Sequence, residues 1–152
     1  MADPEGRLLL FSAREADGER WWLTPGGGVH RGESVRGAAV RELAEETGYT
    51  VTEDELGPVV ASSSSHWLAE REGKLFLGGH SYFFLRVAHT TLSTDGQEEL
   101  ERNLLTGHDW WSVADLRAAT ERISPPGLAD LMERLLRGDI PQSPVRLPRR
   151  KG

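Results

Sequence analysis

The sequence predicts a mixed α/β (α+β) domain in which strands outnumber helices. Short apolar runs bounded by glycine or polar residues are typical of strands. One segment has a good helix N-cap at Ser34 and a glycine stop at Gly48, and another repeats leucine at helical spacing near the C-terminus. At 152 residues, the chain is long enough for one domain with a proper core, which we place at residues 1–140.

Local patterns place each element in turn. The apolar segment 7–13 predicts a buried strand, and the leucines at 128, 131, 135 and 136 predict a helix with one apolar face. We expect the serine run at 62–65 to be a weak strand end or a loop, and 90–96 to be a loop. The predicted strands are 7–13, 20–23, 56–62, a hairpin over 67–77 centred on 72–73, a central strand 80–87 and a last strand 109–112. The predicted helices are 34–47, a turn within 98–105, 113–120 and 126–137.

Composition excludes several classes of function. The chain has no cysteine, which rules out disulfides, thiolate metal sites and cysteine nucleophiles and fits a cytoplasmic location. No apolar run approaches the roughly 20 residues of a membrane span. The net charge of −6 argues against general nucleic-acid binding. We expect residues 141–152, which end in a basic cluster, to be a flexible tail.

Three carboxylates share one side of the helix predicted at 34–47. At about 100° per residue, Glu42, Glu45 and Glu46 fall within one arc. The same arc holds the apolar residues Val35, Ala38 and Ala39. Carboxylates that face the domain near the negative end of the helix dipole repel one another. A bound divalent cation would resolve the repulsion, and oxygen ligands indicate Mg²⁺ or Mn²⁺.

The spacing of these residues resembles the Nudix box. The matching positions are Gly27, Glu33, Arg41, Glu42, Leu43, Glu45, Glu46 and Gly48, and Tyr49 stands where the box usually has an aliphatic residue. The resemblance implies a mixed β-sheet sandwiched between helices, with a loop-helix-loop box. It also implies a MutT-like, metal-dependent hydrolase that cleaves the pyrophosphate bond of a nucleoside diphosphate linked to another group.

The resemblance also assigns expected roles, position by position. Glu42, Glu45 and Glu46 are expected to bind the metal together with the backbone carbonyl of Gly27. Either Glu42 or Glu45 is expected to act as, or near, the general base that activates water. Arg41 lies one turn before Glu45, so we expect its guanidinium to orient that carboxylate. Glu33 is expected to have a local role at the helix N-terminus or in bracing the loop.

Other candidate residues lie outside the box. Many proteins of the resembled family add a glutamate from a later loop, and Glu98, Glu99 and Glu101 are the candidates here. Trp21 and Trp22 precede the glycine loop, and either could stack on a base, although aromatic residues more often pack in a core. Family members usually have a further strand before residue 7. Without it a sheet edge would be exposed, which a partner subunit in a homodimer could cover.

The sequence leaves the substrate open. We place a nucleoside triphosphate or modified nucleotide first by elimination, because markers of other subfamilies are absent. A nucleotide-sugar or ADP-ribose-type pyrophosphatase remains an alternative. In a different class, some proteins of this fold bind nucleotides as sensors without cleaving them. Such proteins typically lose box carboxylates, whereas this chain keeps all of them.

Overall fold

The computed structural model describes residues 1–15, 17–69 and 74–148, and these form two β-sheets and four helices. The first sheet has the strand order β5-β1-β2-β6, and the second has the order β4-β3-β7. The strands are β1 (Leu8–Arg14), β2 (Arg20–Leu23), β3 (Val59–Ala69), β4 (Lys74–Phe83), β5 (Leu105–Trp111), β6 (Arg122–Ser124) and β7 (Val145–Arg146). The helices are α1 (Val35–Thr47), α2 (Glu99–Leu104), α3 (Val113–Ala118) and α4 (Leu128–Leu136).

The first sheet lies between α1 on one face and α3 with α4 on the other. Successive side chains of β1 point to opposite faces, as they do in any strand. Leu9 and Phe11 pack with Leu43 of α1, whereas Leu8 and Leu10 belong to a separate cluster. That cluster also contains Leu116, Leu128 and Met132 of the other two helices. The predicted arrangement of a mixed sheet between helices is therefore confirmed.

Local caps fix the ends of α1, the helix that carries the box. The Ser34 hydroxyl accepts a hydrogen bond of 2.9 Å from the backbone N–H of Gly37. At the other end, Gly48 adopts a left-handed conformation (φ 77°), and its N–H bonds to the carbonyl of Ala44. The helix bounds agree with the prediction. The orientation of Val35 differs from the prediction, because this residue is 47% exposed instead of facing the domain.

Pairing extends the second sheet beyond its predicted limits. The serine run is not a loop, because Ser62 to Ser65 pair with residues 78–81 of β4 inside β3. The predicted hairpin is confirmed by the pairing of β3 and β4, although its turn at 70–73 lies outside the described residues. β4 ends at Phe83 and lies at an edge of its sheet, so its predicted central position was wrong.

The C-terminal part of the chain also differs from the prediction. Two strands, β6 and β7, follow the strand we expected to be the last. Residues 145–147 were expected in a flexible tail, but Val145 and Arg146 pair with β3. Leu147 is buried there, and its N–H bonds to the carbonyl of Ser62 at 2.8 Å. Burial of this apolar side chain anchors the segment, while residues 149–152 lie outside the described part.

The N-terminal residues connect β1 with the segment that follows β4. Ala2 is fully buried and forms single β-bridges with Leu8 on one side and Arg86 on the other. The N-terminal segment therefore contributes to the core. The homodimer expected from an exposed edge stays a prediction. Among the described residues, no helix is both long and apolar enough to cross a membrane.

Candidate active site

The glycine loop docks directly on the carboxylate face of α1. The N–H of Gly26 donates a hydrogen bond of 2.6 Å to Glu46. Gly27 packs against the carboxylate of Glu42, and the carbonyl of Gly28 accepts a hydrogen bond of 2.8 Å from Arg41. Three consecutive glycines thus contact three different residues of the box.

Arg41 connects the acidic residues of the box through its guanidinium. Nε and Nη2 donate to the two carboxylate oxygens of Glu33 at 2.9 and 3.0 Å. Nη1 donates to Glu42 at 2.8 Å and to Glu45 at 3.1 Å. A two-pronged contact with a carboxylate fixes the guanidinium plane. Arg41 therefore contacts both Glu42 and Glu45, while Glu33 holds Arg41 from the loop side.

Glu33 braces the loop as well as the arginine. Its side chain accepts a hydrogen bond of 2.9 Å from the backbone N–H of His30. The hydrogen bonds from Arg41, and then the one from His30, lower the pKa of Glu33 to about 2. In return, the hydrogen bonds with Glu33 raise the pKa of Arg41. The pair therefore remains ionised throughout the physiological pH range.

We expect Glu33→Gln to lower the thermal unfolding temperature at neutral pH and to have progressively less effect in acid. A carboxylate with a lowered pKa stabilises the fold above its unfolded pKa, and that stability disappears as pH falls through the folded pKa. For Glu33 this window runs from 4.5 down to about 2. Circular dichroism melts of both proteins across this range would measure the difference. A difference that is unchanged between neutral pH and pH 2 would contradict the assignment.

The three box carboxylates differ in burial. Glu42 and Glu46 are only 5% and 3% exposed, whereas the side chain of Glu45 is 30% exposed. Buried carboxylates are usually paired or coordinate a cation. Their oxygen donors suit Mg²⁺ or Mn²⁺, and the absence of a side chain at Gly27 leaves its backbone close to the Glu42 carboxylate. The residues present thus fit the implied metal.

The carboxylates do not yet converge around one point. Within residues 1–15, 17–69 and 74–148, no group of three acidic or histidine side chains has the geometry of a metal site. Nη1 of Arg41 bonds to both Glu42 and Glu45, and the N–H of Gly26 bonds to Glu46. To bind a cation, Glu42 and Glu45 would have to give up their hydrogen bonds with Nη1 of Arg41. The hydrogen bonds of Nε and Nη2 with Glu33 could remain.

A deep cavity of about 750 Å³ opens beside the glycine loop. Gly26, Gly27 and Glu42 line one end of it. The cavity then extends between the two sheets, where its lining is largely apolar. Val35, which is exposed on α1, also lines it. This volume suits a nucleotide-sized ligand, because small-molecule sites typically occupy about 300–1,000 Å³.

The two tryptophans before the loop have different environments. Trp21 is half-buried and lines the cavity. Trp22 is only 7% exposed, packs edge-on against Trp111 and donates its indole N–H to Glu121 at 3.1 Å. Trp22 therefore packs in the core away from the cavity, and a substrate role for it stays a prediction. Neighbouring strand residues point to opposite faces, so only one of the two could reach the site.

The later glutamates lie at or next to α2. Glu98 and Glu99 are exposed at the start of this helix, and the side chain of Glu101 lies outside the described part. The preceding loop packs on the end of α1. A Cβ at Gly96 would lie 2.9 Å from the backbone oxygen of Glu45. The loop is thus held against the box helix, and the choice among the three glutamates stays a prediction.

Several lining residues escaped the sequence analysis. His80 and Tyr82 of β4 line the cavity and stack with ring centroids 6.5 Å apart. The Tyr82 hydroxyl bonds with Ser63 at 3.0 Å, and burial raises the pKa of Tyr82. Their alternation along the strand was the available signal. It predicts that both side chains share a face, but it does not predict what that face meets.

Comparison with known proteins gives a consistent family. A family model described as the NUDIX domain matches residues 1–133. An RNA pyrophosphohydrolase from Thioalkalivibrio sulfidiphilus is 32% identical over 117 residues, which cover 67% of this chain and 63% of that protein. The uncharacterized Nudix hydrolase YvcI from Bacillus subtilis is 47% identical over 49 residues, which cover 32% of this chain and 28% of that protein.

The same likeness is seen among solved structures. The MutT protein from Methanosarcina mazei matches with a TM-score of 0.59 and 22% identity, covering 91% of this chain and 88% of that one. At this level of identity the match concerns the fold. Several curated relatives are much longer than the matched region, since the chain spans only 25–28% of their length.

Proposed function

We propose that this chain, which belongs to the NUDIX family, hydrolyses the pyrophosphate bond of a nucleoside diphosphate linked to another group. The contact of three successive loop glycines with Glu46, Glu42 and Arg41 is the observation that carries the proposal. The glycine loop lets a phosphate come close to the backbone, and these contacts place it beside the box carboxylates, whose oxygens can bind a metal. The first candidate substrate is a nucleoside triphosphate or modified nucleotide, with nucleotide sugars and ADP-ribose as the alternative.

Glu42, Glu45 and Glu46 are the residues that would hold Mg²⁺ or Mn²⁺, together with the carbonyl of Gly27. When bound, the metal lowers the pKa of water and offsets the negative charge of the phosphate oxygens. Glu45, the most exposed of the three carboxylates, is our choice for the residue that accepts the proton of the attacking water. Arg41 orients Glu42 and Glu45, and Glu33 keeps Arg41 in place.

If the protein binds a metal, the metal should change its thermal stability even when no substrate is turned over. Millimolar Mg²⁺ or Mn²⁺ should raise the thermal unfolding temperature, because a ligand that binds only the folded state stabilises it by mass action. The shift should be smaller for Glu42→Gln, which removes one buried ligand, and unchanged for the exposed Glu53→Gln. No shift in the parent protein, with or without nucleotide, would contradict a metal site.

A phosphate-release screen tests the reaction and its substrate class. The panel contains nucleoside triphosphates, oxidised purine triphosphates, nucleotide sugars, ADP-ribose and dinucleoside polyphosphates, each with Mg²⁺ or Mn²⁺. A coupling phosphatase or pyrophosphatase converts the products to phosphate. We expect turnover of one class, with none in EDTA. Nucleotide binding without turnover across the panel would favour the alternative that the protein is a nucleotide sensor. The presence of all box carboxylates argues against that alternative.

A second candidate reaction is removal of pyrophosphate from the 5′ end of RNA. It is favoured by the relative from Thioalkalivibrio sulfidiphilus, which is named an RNA pyrophosphohydrolase. The net charge of −6 opposes it, because a long RNA is held mainly by its phosphates. Adding a short RNA with a 5′-triphosphate to the screen separates the two. Preference for the RNA over the matching free triphosphate would replace the first candidate.

A further inference from the structure

We propose that Trp21 is the residue that binds the nucleobase of the substrate and that Arg122 is its positioning residue. This inference rests on the proposed function, since it assigns the base of the nucleotide to one wall of the same cavity. It is carried by the cross-strand contact between these two side chains and by the position of Trp21 in the cavity. It also names a specificity determinant outside the box.

The first observation is that the indole of Trp21 is held from its neighbouring strand. Trp21 of β2 and Arg122 of β6 are paired in the parallel register, so their side chains lie on the same face of the sheet. The Arg122 guanidinium lies 4.7 Å from the centroid of the Trp21 ring. This distance is within the range of a cation–π contact. Arg122 is itself anchored, because Nη1 contacts Glu15 at 2.7 Å.

The second observation concerns what the remaining indole surface meets. Trp21 lines the same cavity as Gly27 and Glu42, the residues expected beside the pyrophosphate. The guanidinium covers one part of the ring, and the rest contributes to the cavity wall. Among the described residues, no acceptor bonds to the buried Nε1 of Trp21. Because Nε1 is buried, the part of Trp21 available to a ligand is the ring surface that lines the cavity.

The chemistry of the surrounding wall favours a base over a sugar. Leu23, Pro125 and Pro126 are apolar residues of the same lining. Aromatic side chains bind bases through stacking, which is tolerant of sequence because every base has a π-face. The side chains of Leu23, Pro125 and Pro126 offer the hydroxyl groups of a sugar no hydrogen bond, although Thr24 and Ser124 lie beside them in the lining. A nucleotide with its phosphates at the glycine loop and its base at Trp21 uses both regions.

The experiment compares ligands with and without a base. Calorimetry with Mg²⁺ would measure the Kd of the α,β-methylene analogues of ADP, GDP and CDP, and of methylenediphosphonate, which has no base. Trp21→Leu should weaken the preferred nucleotide analogue by about 5- to 150-fold, the range given by stacking. It should leave methylenediphosphonate unchanged. Trp21→Phe should retain part of the nucleotide affinity, since it keeps an aromatic face but has a smaller ring area and no N–H.

Arg122 supplies the second pair of variants. Arg122→Gln should lower the preference for the nucleotide analogue over methylenediphosphonate, because it removes the cation from the indole. Arg122→Lys should restore it in part, since it keeps the charge. Thermal melts confirm that each variant is folded, and the base-free ligand reports on the phosphate end. If Trp21→Leu fails to fold, Trp21→Phe and the Arg122 pair still decide the outcome.

Two results would overturn the inference. One is a parent protein that binds the base-free ligand as tightly as every nucleotide analogue. The other is a preference for nucleotide that survives Trp21→Leu, or that is equally lost in Arg122→Gln and Arg122→Lys. Normal hydrolysis with a preference independent of Trp21 would remove this inference alone. Binding of nucleotide through Trp21 without any hydrolysis would instead remove the proposed reaction.

Discussion

Replacing Glu45 with glutamine is expected to reduce turnover by about 10²- to 10⁴-fold, the usual contribution of a positioned acid or base. The change removes a charge and a proton acceptor but keeps the shape of the side chain. Its cost to folding should be about 1 kcal/mol or less, because the lost partner contact is one partly exposed ion pair. Arg41 keeps its bonds to Glu33, Glu42 and Gly28.

Steady-state kinetics on the substrate found by the screen would measure this loss, with thermal melts as a check on folding. Glu53→Gln is the matched control, since Glu53 is an exposed residue just after the box and should tolerate the same change. A Glu45→Gln protein with near-native turnover would show that Glu45 is not the proton acceptor. Similar losses in both variants would indicate a general effect of charge.

Gly27→Ala should lower turnover by about 100-fold, the order of loss expected when a reacting group shifts by about 1 Å. A Cβ on Gly27 would lie 2.6 Å from Oε2 of Glu42 and closer still to its other two terminal atoms. Glu42 is buried and bonded to Arg41, so its carboxylate cannot move without changing the site. The effect should fall on activity and metal affinity more than on the fold.

Gly28→Ala provides a control one residue away. A Cβ at Gly28 would meet nothing within 4 Å, so the same added methyl group should be nearly silent. Turnover and the metal-dependent thermal shift of both variants should be measured together. Equal activity of the two alanine variants would contradict the close contact between Gly27 and Glu42. A fully unfolded Gly27→Ala protein would show that this contact governs folding instead.

Local signals explain why the box helix and β1 were predicted well. Ser34 and Gly48 act on their own neighbouring backbone groups, so their effect can be read along the chain. Residues 8–13 of β1 are buried on both faces, and the first four of them form one continuous apolar run. The side chains of Glu42 and Glu46 face inward as the helical period requires. The apolar pattern and the helix caps were sufficient to predict these two elements.

Pairing between distant residues accounts for most of the errors in the fold. The serine run is a poor strand by composition, but β4 pairs with it along its length and β7 adds a second partner. β7 itself has only two residues and was assigned to a tail. In such cases the neighbouring strand supplies the hydrogen bonds, so sheet context overrides propensity. The sequence around Ser62 carries no local sign of that partner.

The site was predictable in its members but not in its contacts. The spacing of the box named the carboxylates and Arg41, yet it did not predict that Arg41 would bridge Glu33, Glu42 and Glu45 at once. Trp21 could be separated from Trp22 only when the two faces of β2 were known. Arg122 had no signal at all, because its relevance arises from a strand paired across about 100 residues.

Hydrolysis in ¹⁸O-labelled water is the most direct test of the central claim. The parent protein, with Mg²⁺, would be incubated with the pooled nucleotide panel, and the products would be examined by mass spectrometry. The account predicts cleavage within a pyrophosphate group and one ¹⁸O atom in one of the two phosphate-bearing products, with far less cleavage by Glu45→Gln in the same time. Intact nucleotides from a folded, metal-binding protein, or products without ¹⁸O, would contradict it.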